Sequence, residues 1–179
     1  MDLTKMWEAA RKRGVPIIAV ETADQQATTW YIKSLLSETE ALYVWDCARG
    51  IKEANKEAKR LPLGQDGLDT DMTTAVDILA TAPKDAVAIL MNAARQLSDI
   101  GPVQAVSNLR DTYKSTGCTL VLLGPAFRLP AELANDVLVM EHPLPSEEER
   151  RKIVEDTCAA AEAECETFRR PDKKEMRLI

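Results

Sequence analysis

Two carboxylates, a hydroxyl and an amide stand together at Glu21, Thr22, Asp24 and Gln25, directly after the apolar run of residues 15–20. In a nucleotide-binding α/β domain the turn after the first buried strand wraps phosphates. Glycines let backbone N–H groups close round them, a lysine reaches the terminal phosphates, and a Ser or Thr holds magnesium. Residues 21–25 contain neither glycine nor lysine, and Glu21 and Asp24 put negative charge where phosphates would sit. Thr28 and Thr29 follow as hydroxyls without such a cradle. Magnesium-dependent hydrolysis also needs a carboxylate at the tip of a neighbouring buried strand. The run 86–91 ends instead in Asn92, which can hydrogen-bond but cannot act as a base, and Asp99 stands beyond a helical turn. The run 120–123 ends in Gly124 and Pro125, with no polar side chain to sense a terminal phosphate. The same strand ends are therefore expected to form a partner-binding crevice from Glu21, Thr22, Asp24, Gln25, Asn92, Gly124 and Arg128, since open α/β sheets place ligands there.

Other chemistries lack their parts. His142 is the single histidine, and the four cysteines, Cys47, Cys118, Cys158 and Cys165, form no CxxC pair, so no metal spacing exists. A lone histidine before Pro143 is expected to be structural. There is no G-x-S-x-G elbow, H-E-x-x-H helix or G-x-G-x-x-G turn. Asp69, Asp71 and the acids at 147–149 read as helix initiators. The scattered cysteines read as reduced thiols of a cytoplasmic protein, with Cys118 packing as a small apolar side chain. No leader pattern opens the chain, and no apolar run approaches a membrane span. A net charge of −6 speaks against a nucleic-acid partner. The cluster Arg11, Lys12 and Arg13 sits where it complements the dipole of a first helix.

Five apolar runs, within 15–20, 42–45, 86–91, 120–123 and 137–140, alternate with helical patterns. Such a rhythm predicts a three-layer α/β fold around a mainly parallel five-stranded sheet. Leu3, Met6, Trp7 and Ala10 recur at helical spacing, with Gly14 as the stop. Thr22 and Gln25 have the form of a capping box for a helix with Ala27, Trp30, Tyr31 and Leu35 inward. Residues 52–60 read as a solvated helix and 63–67 as a loop. Met72, Ala75, Val76 and Leu79 form one amphipathic face. Val103, Val106, Leu109 and Tyr113 form another, between Gly101-Pro102 and Gly117. A short helix is expected at 130–133. Ser146 and Glu149 form a second capping box, for a helix with Ile153, Thr157, Ala161, Cys165 and Phe168 on one stripe. Residues 1–145 are thus expected to be one α/β domain, and 146–179 a C-terminal helix and tail that can open a truncated lid.

Three blocks carry a family likeness: 16–22 (PIIAVET), 42–50 (LYVWDCARG) and 119–133 (TLVLLGPAFRLPAEL), the last leading into Asp136-Val137 and Pro143-Leu144-Pro145. In this order, over roughly residues 4–155, they resemble the N-terminal half of the AAA+ ATPases of the plastid and cyanobacterial hypothetical-reading-frame type. The resemblance implies an AAA+-like, P-loop-NTPase-like module without a working phosphate loop, with a competent ATPase module following it. Residues 171–179 would then open a further helix. It also implies that ATP and magnesium belong to an attached or partner module, and that this chain itself carries no cofactor, metal or catalytic residue. The partner would be a protein or an ATPase module, in cis or in trans, with an oligomer open to it and no membrane involved. Arg49 and Arg128 are the candidates for an arginine acting in trans on a neighbour's nucleotide. The competing reading is a divergent nucleotide-binding protein or phosphohydrolase that uses the crevice through Thr22 and Asn92.

Overall fold

Ile17, Ile18, Ala19 and Val20 have no exposed surface, which only a strand covered on both faces can achieve. A computed structural model of the chain describes residues 3–62, 68–144, 147–164 and 169. In it the run becomes β1 (Ile17–Glu21), followed by β2 (Leu42–Asp46), β3 (Gly50–Glu53), β4 (Val87–Leu90), β5 (Thr119–Gly124) and β6 (Val137–Glu141). They form one sheet in the order β3-β2-β4-β5-β1-β6, parallel throughout except for the β2–β3 pair. Alternate side chains of each strand enter opposite layers. Ile17, Ala19, Tyr43, Trp45, Leu120 and Leu122 pack with α3 (Met72–Leu79) and α5 (Ile100–Thr116). Ile18, Val20, Leu42, Ile89, Val121 and Leu123 pack with α1 (Leu3–Lys12) and α2 (Gln25–Ser34). The result is the three-layer, mainly parallel α/β fold that the apolar rhythm predicts.

The sheet has six strands rather than the five expected. β3 occupies part of the stretch read as a solvated helix, because local side chains build a hairpin there. The Asp46 carboxylate accepts from the N–H groups of Ala48 and Arg49, each at 2.9 Å, and tightens the turn. Gly50 then takes φ +68°, and the Asp69 carboxylate accepts from Ile51 N at 2.9 Å. Beyond β3, Asn55 Oδ1 accepts from Leu42 N at 2.9 Å and from Ala58 N at 3.1 Å, which holds this irregular segment against β2. Residues 63–67, expected as loop, lie outside the described residues.

Helix punctuation follows the sequence at most ends. Gly14 (φ +68°) and Gly117 (φ +74°) stop α1 and α5, and Asp71 caps α3 by accepting from Thr74 N at 2.9 Å. The expected helix at 130–133 is instead a set of turns across 131–136, where Leu133 N reaches Pro130 O and Val137 N reaches Leu133 O. An ion pair between Arg110 and Asp136 pins these turns to α5. Arg11 does more than face a dipole: it donates to Thr119 Oγ1 at 2.8 Å, pairs with Glu40 and lies 5.8 Å from the Trp7 ring centroid.

The chain divides into two compact units, Met1–His142 and Pro143–Ile179. In the second, α6 (Glu147–Glu164) carries an Arg151–Glu147 pair at 2.8 Å and exposes Ile153 and Thr157. Ser146, Cys165, Phe168 and the segment 171–179 lie outside the described residues. No helix among the described residues is long and apolar enough to cross a membrane.

Candidate functional site at the carboxyl ends of the strands

Parallel pairing brings the ends of β1, β4, β5 and β6 to one edge, with Glu21 in register with both Gly124 and Glu141. The connection from β1 to α2 is only Thr22, Ala23 and Asp24. Its side chains bond the local backbone, and Thr22 N donates to Gly124 O at 2.9 Å. Asp24 Oδ1 accepts from Ala27 N at 2.9 Å, and Thr22 Oγ1 accepts from Asp24 N at 3.1 Å. The cap is thus Asp24, two positions after the Thr22 expected from the capping-box pattern, and its carboxylate sits at the positive end of the helix dipole.

Gln25, released from that capping role, reaches Asn92 instead. Gln25 Nε2 donates to Asn92 Oδ1 and Asn92 N donates to Gln25 Oε1, both at 2.7 Å. Asn92 takes φ +55° to present its N–H, a left-handed conformation that asparagine tolerates better than most residues. This reciprocal pair ties α2 to the end of β4, across β5. Glu21 turns its carboxylate to the next loop, where Oε1 accepts from Phe127 N at 2.8 Å. Beside it Gly124 is closely packed: a Cβ there would stand 3.0 Å from Ala94 Cβ and 3.2 Å from Phe127 Cζ.

Two residues that sequence reasoning left outside this group are hydrogen-bonded to it. Thr28, fully buried, places its hydroxyl 2.7 Å from Thr22 Oγ1, 2.8 Å from Asp24 O and 2.7 Å from His142 Nδ1. In the tautomer with a proton on Nδ1, His142 donates to Thr28, which passes its own hydrogen to Asp24 O. The imidazole also stacks on Tyr31, with centroids 5.1 Å apart, and His142 N donates to Glu21 O at 2.9 Å. α2 therefore turns Thr28, Tyr31 and Ile32 inward, while Ala27 and Trp30, expected inward, face solvent. The hidden signal was the sheet order: only the pairing of β6 with β1 carries His142 to α2.

The two arginines are separated. Arg128 is exposed in the loop after β5, beside Phe127, and makes no side-chain hydrogen bond or ion pair among the described residues. Arg49 lies in the β2–β3 turn, three strands from β1, and pairs with Asp46 at 3.2 Å. No group of three His, Cys, Asp or Glu side chains among the described residues is placed to hold a metal ion. Cys47, Cys118 and Cys158 are free thiols.

Comparison with known proteins adds the following. The family model for the N-terminal domain of SpoVK-like AAA ATPases matches residues 2–142. The uncharacterized AAA domain-containing protein ycf46 of Guillardia theta is 24% identical over 157 residues, which is 85% of this chain and 29% of that protein. The chain thus spans less than a third of the length of this curated relative. Among solved structures, a chain in the structure of Drosophila ORC bound to DNA aligns with a TM-score of 0.48 at 13% identity, over 82% of this chain and 91% of that one.

Proposed function

The chain belongs to the family of SpoVK-like AAA ATPase N-terminal domains, and from that premise we propose that it is a catalytically inactive AAA+-like module acting in assembly, partner binding or regulation of an ATPase. The observation that carries this reading is the closed β1–α2 connection. Its three residues leave no room for a phosphate cradle, and the helix N-terminus that would receive an anion already holds the Asp24 carboxylate. A magnesium-bound triphosphate would also meet Glu21 at the same edge and find Phe127 and Ala94 against Gly124. These side chains do not fit that group. ATP and magnesium belong, on this reading, to a module in the same polypeptide or in a partner.

The working surface is then the edge formed by Gln25, Asn92 and the loop at 124–128. Arg128 is the better placed of the two arginines to reach a neighbour's nucleotide, since Arg49 is already held by Asp46. Calorimetric titration of the chain with ATP and magnesium tests the proposal. It predicts no saturable uptake and no release of phosphate. Saturable binding that weakens on Thr22→Val or Asn92→Asp would carry the divergent-nucleotide reading instead.

A further inference from the structure

At the other end of the sheet, where β1 and β6 begin, a groove of about 590 Å³ runs between α1, the last turns of α5 and the start of β6. Its floor is apolar, built from Met6, Ala9, Val15, Pro16 and Val137, with Leu138 at the side. Leu138 is 37% exposed although it lies within a strand, β6 being the edge strand of the sheet among the described residues. Around this floor stand Lys5, Arg13, Arg110 and Lys114.

Four cations about one groove run against a chain of net charge −6. Arg110 is committed: it bonds Asp111 at 3.0 Å and pairs with Asp136 on the groove wall. Lys5, Arg13 and Lys114 are different. All three are exposed, and none makes a side-chain hydrogen bond or ion pair among the described residues. Asp111 offsets part of the Lys114 charge and Asp136 is taken by Arg110, so Lys5 and Arg13 dominate the local positive potential, which a low-dielectric apolar floor between them focuses. No aromatic side chain lines the groove, so a nucleobase would have nothing to stack on.

We propose that this groove docks an acidic amphipathic segment of a partner protein. Apolar side chains at helical spacing would lie along Met6, Val15 and Leu138, and flanking carboxylates would meet Lys5, Arg13 and Lys114. Charge complementarity selects this occupant: a neutral helix would leave the three cations unpaired, and a basic one would be repelled. The groove lies at the opposite end of the strands from the Gln25–Asn92 edge, so the inference stands apart from the inactivity of that edge.

The test is fluorescence anisotropy of the whole chain with a labelled peptide that carries leucine on one helical face and glutamate on the others. Two further probes run beside it: the same peptide shuffled to destroy its apolar face, and a single-stranded oligonucleotide. Saturable binding of the amphipathic peptide is expected, weakened at least about tenfold by shuffling and at least about tenfold by Lys5→Glu combined with Lys114→Glu. Leu138→Asp should weaken it as well, through the floor rather than the rim. Both lysines are exposed and make no side-chain hydrogen bond or ion pair among the described residues, and Lys5→Gln with Lys114→Gln provides a milder pair if charge reversal disturbs folding, with circular dichroism checking each variant. Absence of saturable binding would overturn the proposal. So would equal binding of the shuffled peptide, preference for the oligonucleotide, or affinity unchanged in the lysine variants.

Discussion

Gly14 and Gly50 share the same φ of +68°, yet they differ in what surrounds them. A Cβ at Gly14 would meet nothing within 4 Å, whereas one at Gly50 would stand 2.2 Å from Asp69 Oδ2, the atom that holds Ile51 N. Gly14→Ala should therefore cost about 1 kcal/mol, the left-handed backbone term alone. Gly50→Ala adds displacement of the Asp69 carboxylate and loss of its bond, and should cost about 1–2 kcal/mol more. Urea unfolding of the two variants compares them directly. Tyr113 gives a second prediction. Its hydroxyl donates to Leu79 O at 3.0 Å, and burial pushes its pKa above the ordinary 10.0. Burial also raises the pKa of Tyr43, whose hydroxyl donates to Lys59 O at 2.8 Å. A group whose pKa is raised by folding contributes fully below its unfolded value and loses that contribution as pH rises beyond it. Stability should accordingly hold below pH 10.0 with respect to these tyrosines and fall above it. Tyr113→Phe should cost about 1 kcal/mol at neutral pH and make the alkaline fall shallower in pH-dependent melting. Leu79 O keeps the N–H of Ala82 in that variant, so no carbonyl is orphaned.

At the scale of elements, Thr28 joins α2, the β1 turn and the end of β6 through one buried hydroxyl. Thr28→Val keeps the shape and strands polar partners, and should lower stability by about 1–3 kcal/mol in thermal or urea unfolding. Thr28→Ser keeps the hydroxyl and should recover most of that loss. Elements whose signals are local were legible in the sequence. Gly14 and Gly117 mark helix ends by backbone need, and Met72, Ala75, Val76 and Leu79 lie on one buried face as their spacing predicts. β3 was not legible, because a four-residue strand with Lys52 and Glu53 exposed carries almost no pattern, and distant Asp69 secures it. The Thr22–Gln25 capping box misled for a related reason. Asp24 is a competing cap in the same turn, and the amide of Gln25 finds a better partner in Asn92. Glu21, Asn92 and Gly124 could be read as neighbours since all end buried parallel strands. Thr28 and His142 could not, since their meeting depends on which strand lies beside β1.

For the whole molecule, the three tryptophans report on different depths. Trp7 and Trp45 are 3% and 1% exposed, while Trp30 is 64% exposed, with the Lys33 ammonium 5.6 Å from its ring centroid. Trp30→Phe should shift the emission of the native protein to shorter wavelength and remove most of its quenching by acrylamide, with little change in stability because the ring buries little. Retained quenching in that variant would mean that the layer over Trp7 or Trp45 opens in solution. The sheet also separates two surfaces of different character. One end is knitted by short hydrogen bonds among Thr22, Gln25, Thr28, Asn92 and His142, and the other offers an apolar floor rimmed by exposed cations.

The three-residue connection between β1 and α2 has a consequence for mutation. A phosphate-wrapping loop of the glycine-and-lysine kind runs over about eight positions, and three extended residues reach only about 10 Å. Exchanging one side chain for another leaves the number of backbone links unchanged. A library of point variants at Glu21, Thr22 and Asp24, however large, therefore explores surfaces for partners and cannot yield a triphosphate cradle. Only added residues, together with removal of the Asp24 carboxylate, would open that route.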